Sequence, residues 1–162
     1  MYAPFDCAWL HRGAADALEN VVAWLAHKKP GYTPLVLDAL RPQRVQQQVW
    51  DALEGTPLEM YLAHPQHGSI HSFGMALDMT LLDLHGGELD MGTAFDDMGE
   101  RAHPALEREL IERGALGAAQ VANRHLLREA MFQAGFTGLN SEWWHFDCGD
   151  RVHVRRTFSR VL

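Results

Sequence analysis

The chain has 162 residues, a length that fits one domain, and at 47% hydrophobic with five Trp and seven Phe it can bury a real core. A formal net charge of −7 argues against general binding to a nucleic-acid backbone, which needs clustered Lys and Arg. No apolar run reaches the roughly 18 residues of a membrane span, and two cysteines, Cys7 and Cys148, are too few for a disulfide framework; two free thiols are expected ahead of a single bridge, and the pairing is left open.

Met1 to Asp6 lacks a basic region followed by an apolar core. No signal peptide is therefore expected, and the location expected is cytoplasmic; a periplasmic one would need a start further upstream. Residues 1 to 9 read as irregular. From about Gly13 to Lys28 the apolar stripe of Leu18, Val21, Val22 and Leu25 predicts a helix, which Pro30 and Gly31 stop. Leu35 to Leu40 is a short buried-strand pattern. Pro42 suits the first turn of a second helix running to about Glu54, with Val45, Val49, Ala52 and Leu53 inward. Between Gly55 and His67 lies a connection in which Met60-Tyr61-Leu62 is expected as a turn packed on the core.

Gly68 to Asp78 starts polar and Gly-rich, then turns into an apolar strand pattern that ends near Leu84. His85-Gly86-Gly87 signals a turn, with Glu88-Leu89-Asp90 as a returning partner strand. Met91 to His103 reads as loop, Pro104 to Glu112 as helix, and Ala118 to Ala134 as a clearer helix stopped by Gly135. Phe136 to Leu139 is a link into a strand at Trp143 to Phe146, and Val152-His153-Val154 is expected as one more strand. No repeat, linker or domain boundary interrupts the chain, so one domain over residues 1–162 is expected. The order of elements predicts an α+β fold rather than a doubly wound one.

The chemistry gathers in two stretches. His71 and Asp78 sit where a loop enters a strand, and Gly74 between them permits the bend that brings both to one point. Imidazole and carboxylate are both zinc ligands, but two do not hold a catalytic metal. His145, in Ser141 to Phe146, completes a His/Asp/His set and leaves an open position for water. Glu142, three residues earlier, is placed to act as general base on that water. One Zn2+ per chain is expected.

The pattern Ser69, His71, Gly74, Ala76, Asp78 followed by Glu142, Trp144 and His145 resembles the signature of the VanX-type D-alanyl-D-alanine dipeptidases, zinc peptidases of the Hedgehog/D,D-peptidase fold. Asn123 to Phe136 also looks family-like. The resemblance implies a small antiparallel sheet carrying the zinc site between flanking helices. It implies hydrolysis of D-Ala-D-Ala or a close D,D-dipeptide involved in cell-wall chemistry. Arg41, delivered by Asp38 to Pro42, would stabilise the oxyanion, with Arg44 as fallback. Ser69 would help hold the substrate carboxylate, although Ile70 stands where the family often has a second serine. Asp96, with Asp97 beside it, would meet the substrate ammonium. The connection between Pro42 and Gly68 is shorter than the family leads one to expect, which would remodel the pocket walls. The partner implied is a small dipeptide, with no nucleic acid and no membrane span; oligomeric state is left open. Two rivals remain: a D,D-carboxypeptidase or endolysin-like peptidase on longer peptidoglycan stems, and a non-catalytic zinc-fold binding module. An intact Glu142 and Arg41 argue against the second.

Overall fold

The computed structural model describes residues 8–162. Most of the stretch expected to be irregular at the start, and Cys7 with it, lies outside them. The fold is α+β. Helix α1 spans Arg12–Lys28, capped at its start by the His11 side chain. Strand β1, Thr33–Asp38, leads through Arg41 to helix α2, Gln43–Leu53. Strand β2 is Ala76–Leu82. Helices α3, Glu107–Glu112, and α4, Ala118–Gln133, follow. Strand β3, Phe136–Gly138, strand β4, His145–Cys148, and helix α5, Arg151–Thr157, complete the order. Among the described residues no helix is long and apolar enough to cross a membrane.

The four strands form one antiparallel sheet in the order β1-β2-β4-β3. β2 sits inside it, and the period-2 alternation of its side chains decides what each face does. Leu77, Met79 and Leu81 join Val21 and Leu25 of α1, and Leu127, Ala130 and Met131 of α4, in the main core. Each such buried side chain contributes roughly 1.5–3 kcal/mol relative to exposure. Asp78 and Thr80 fall on the opposite face. The same alternation on β4 sends Phe146 into the core and turns His145 and Asp147 the other way.

Several elements differ from the sequence reading. The link at Phe136 to Leu139 is a strand, because its backbone pairs with β4 from Phe136 against Cys148 to Gly138 against Phe146. Val152-His153-Val154 is helical rather than extended. Asp150 accepts from the His153 amide as N-cap, and Val154 alone of the three turns inward, onto a small cluster with Ile70, Phe73 and Met75. Glu88 makes only an isolated bridge to Leu82, and the Asp83 carboxylate takes the amides of His85 and Gly87 to close the turn instead. Glu59–Tyr61 is a single turn, but Met60 is 81% exposed and does not reach the core. On α1 Val22 is exposed, and on α2 Gln46 and Trp50, not Ala52, are buried. Pro42 is the residue that precedes α2 rather than its first-turn residue.

Candidate active site

His71 lies in a 3-10 turn, Ile70–Phe73, that Gly74 closes. Gly74 has φ +63°, and a Cβ there would stand 2.7 Å from the His11 backbone nitrogen, so only glycine makes this bend between His71 and β2. Asp78 and His145 need no bend. They are direct cross-strand partners in the β2/β4 register, and facing residues of an antiparallel pair point to the same side. On the other flank of β2, Asp38 is the partner of Asp78. A register shift between Val36 and Asp38 marks a bulge that turns Asp38 toward the site. Asp38, Asp78 and His145 thus form one row across three strands.

Three ligand atoms converge. His71 Nε2 is 3.2 Å from His145 Nδ1 and 3.3 Å from Asp78 Oδ1, and His145 Nδ1 is 3.0 Å from Asp78 Oδ1. Ligand atoms on a tetrahedral ion with bonds of about 2.0–2.1 Å stand roughly 3.3 Å apart. The triangle has the edges such an ion requires, and the three residues could hold a metal. Each imidazole has its other nitrogen engaged. His71 Nδ1–H donates to the Ala39 carbonyl at 2.7 Å, and His145 Nε2–H donates to Asp147 Oδ1 at 2.9 Å. These bonds set the tautomers and leave both lone pairs facing the triangle. Arg151 of α5 in turn donates to the second oxygen of Asp147.

All three residues are buried. Burial alone would raise the Asp78 pKa, but the facing His71 and His145 prevail and hold it well below the usual carboxylate range. For His145 burial works downward, yet the hydrogen bonds of Asp147 and Asp78 push it up to about 10. Without a cation, a proton on His145 takes the position between these groups.

A cavity of about 170 Å³ opens over the triangle. All seven residues singled out in the sequence line it: Arg41, Ser69, His71, Asp78, Asp96, Glu142 and His145. Its volume falls below the roughly 300–1,000 Å³ of sites for drug-sized ligands, so it suits something smaller. Arg44 and His67 do not line it. Arg41 is held by Asp38, with Nη2 2.6 Å and Nε 3.0 Å from Oδ2, and Nη2 also stands 3.5 Å from Asp78 Oδ2. Glu142 is buried, and among the described residues its carboxylate has no hydrogen-bond donor. Burial raises its pKa, and the Asp78 charge adds to that; His145, His71 and Arg41 pull the other way without cancelling it.

Asp96 sits at the rim with φ +61°, the one non-glycine residue in the left-handed region among those described. Enough protein crowds its carboxyl to raise the pKa, with the Asp78 charge adding to the rise. Its loop is tied to α4 from below. Asn123 donates to the Asp90 carbonyl, and the buried Arg124 donates to the carbonyls of Met91 and Arg101 at 2.7 and 2.9 Å. Trp143 Nε1 adds a bond to Thr93.

Asp147, Tyr61, Arg151 and Arg155 also belong to the site and carried no motif of their own, and Asp38, read only as the start of the string that delivers Arg41, is that arginine's partner. Asp147 was within reach of a reading that asked which residues flank each ligand by two positions, and Arg151 lies four positions beyond Asp147. Arg155 was not within that reach. It comes to the cavity only because α5 is a helix, and its Nε and Nη2 donate to the Gly68 carbonyl at 3.3 and 3.1 Å. Among the described residues no carboxylate lies within 4.0 Å of it.

A scan against protein families matches residues 6–162 to the M15 peptidases, described as D-ala-D-ala dipeptidase. The chain belongs to this family. Among curated relatives, the D-alanyl-D-alanine dipeptidase of Escherichia coli (strain K12) is 38% identical over 138 residues, covering 85% of this chain and 65% of its own length. The protein of the same name from Synechocystis sp. is 31% identical over 173 residues, covering 88% and 70%. The one from Enterococcus faecalis is 40% identical over 92 residues, covering 56% and 42%. The chain therefore spans just under two thirds of the length of the Escherichia coli protein and less than half of the Enterococcus one.

Proposed function

We propose that the protein is a zinc dipeptidase that hydrolyses D-Ala-D-Ala, or a close D,D-dipeptide, to free amino acids. The observation that carries the reading is the triangle of His71, Asp78 and His145, opening on a small cavity that Glu142 and Arg41 also line. Zinc fits a mixed nitrogen and oxygen set of three. When bound there it supplies Lewis-acid polarisation of the peptide carbonyl and of water. The names of the family and of the relatives support the substrate class.

The chain's own residues supply the rest. Asp96 receives the substrate ammonium. Ser69 receives the carboxylate, and the uncompensated guanidinium of Arg155, which lines the same cavity, adds charge for it. Arg41, held in place by Asp38, faces the carbonyl oxygen as negative charge builds on it. Glu142 takes a proton from the attacking water and passes it to the leaving amine nitrogen. A pKa above the ordinary carboxylate value suits that return step, because the protonated form must persist long enough to donate. Glu142 as base and Arg41 as oxyanion partner separate this site from a binding module, which needs neither.

The test is metal content and product release together. The purified protein is expected to carry about one zinc per chain. It is expected to release D-alanine from D-Ala-D-Ala faster than from a pentapeptide stem. Faster release from the stem would instead favour a carboxypeptidase.

A further inference from the structure

The catalytic cavity has a neighbour. A second cavity, of about 320 Å³, is walled by Leu37 of β1, Val49 and Leu53 of α2, Leu58 of the following connection, and Phe95 and Met98 beside Asp96. Its polar side is made by Asp38, Arg41 and Asp96. Arg41, Asp96 and Met98 therefore line both cavities, which lie side by side at these residues. Nothing in the mechanism above uses the apolar one.

In a dipeptide the first α-carbon carries the ammonium, the scissile carbonyl and the first side chain. Resting on the dipeptidase reading, the ammonium belongs to Asp96 and the carbonyl oxygen to Arg41. The α-carbon then lies at the junction of the two spaces. One substituent remains, and among the described residues the apolar cavity is a large space beside both anchors. We infer that this cavity receives the side chain of the substrate's first residue, and that the preferred substrates are D,D-dipeptides with a sizeable apolar first residue and a small second one. The second residue stays within the smaller catalytic cavity, of about 170 Å³, whose lining includes the polar Ser69, Arg151 and Arg155. A methyl group fills little of about 320 Å³. Each further buried methylene is worth up to about fourfold in kcat/KM, so the three extra carbons of D-Leu set a ceiling of roughly fiftyfold.

The experiment compares kcat/KM for D-Leu-D-Ala, D-Ala-D-Ala and D-Ala-D-Leu on the zinc-loaded protein, then on Val49→Phe and, independently, on Leu58→Trp. Both changes fill the cavity, and Leu58 is half-exposed, so its replacement strains no core packing. D-Leu-D-Ala is expected to exceed D-Ala-D-Ala by at least about tenfold, part of the ceiling above. D-Ala-D-Leu is expected to gain nothing. The ratio of the first two should fall toward one in either filled variant. A parent that favours D-Ala-D-Ala, or a D-Leu-D-Ala advantage that survives filling, overturns the inference and leaves the dipeptidase reading standing. A parent that cleaves none of the three but cleaves a longer stem overturns that reading, and the side-chain assignment with it.

Discussion

Asp147 makes the sharpest test of how the triangle is tuned. Asp147→Asn keeps the shape and an oxygen for the His145 Nε2–H, now 2.9 Å away, and removes the charge. Loss of such an outer partner costs about 10- to 100-fold in metal affinity. Here a second effect opposes it. Metal and proton compete for His145 Nδ1, and Asp147 favours both. With the His145 pKa pushed up to about 10, parental affinity climbs about tenfold per pH unit until that value is reached. Removing the charge lowers that pKa, so the climb in the variant ends earlier. The deficit of the variant is therefore smallest near neutrality, below about tenfold, and grows with pH, reaching the full 10- to 100-fold only once pH passes about 10. Arg151→Gln should do much less, because its side chain is 43% exposed and water can replace it on Asp147. Zinc affinity by chelator competition, measured from pH 6.5 to 9, reads this directly. A deficit that shrinks or stays constant as pH rises from 6.5 to 9 would refute the reasoning.

Three further outcomes are expected. Glu142→Gln should keep its zinc and lose about a hundredfold or more in kcat. The parent's acid limb should lie above the ordinary carboxylate value of about 4.3, because the base works deprotonated and burial raises its pKa; a pH profile flat down to that value would remove Glu142 from the role. N-acetyl-D-Ala-D-Ala should be cleaved at least about a hundredfold more slowly than the free dipeptide, from ~3 kcal/mol for a lost ammonium partner, and Asp96→Ala should shrink that gap mainly by losing activity on the free form. Equal parental rates on both would take Asp96 out of the site. D-Ala-D-alaninamide should lose about tenfold or more in kcat/KM against the free dipeptide, the scale of one charge-assisted hydrogen bond; Arg155→Gln should reduce that ratio, and an unchanged ratio would return the carboxylate to Ser69 alone.

Much of this site was legible because its residues sit in dense local strings. His71, Gly74 and Asp78 fall within eight positions, and Glu142 and His145 within four. The α+β order was legible for the same reason, since α1, α4 and β2 carry long, regular apolar patterns. What escaped depends on tertiary pairing. Phe136 to Gly138 is a strand only because β4 lies beside it. The run at Val152 to Val154 alternates like a strand, and the Asp150 cap together with one inward valine decides for a helix. That choice is what carries Arg155 to the cavity. The role of Arg124 was equally hidden: nothing in its own neighbourhood says that a buried guanidinium will hold the carbonyls of the loop that bears Asp96.

The row of Asp38, Asp78 and His145 across β1, β2 and β4 makes the sheet a lock with a single key position. A slip of one residue in β2 would present Leu77 or Met79 to His145 and drive Asp78 into the apolar core. A cation can therefore be captured only by a correctly registered sheet. Its binding free energy, about 2.7 kcal/mol at a hundredfold excess over Kd, falls on that one arrangement and on no misaligned competitor. In the cation-free chain a proton on His145 takes the cation's place, and a cation must displace it to gain the site. Metal supply is thus expected to raise the share of correctly registered molecules as well as to serve their chemistry.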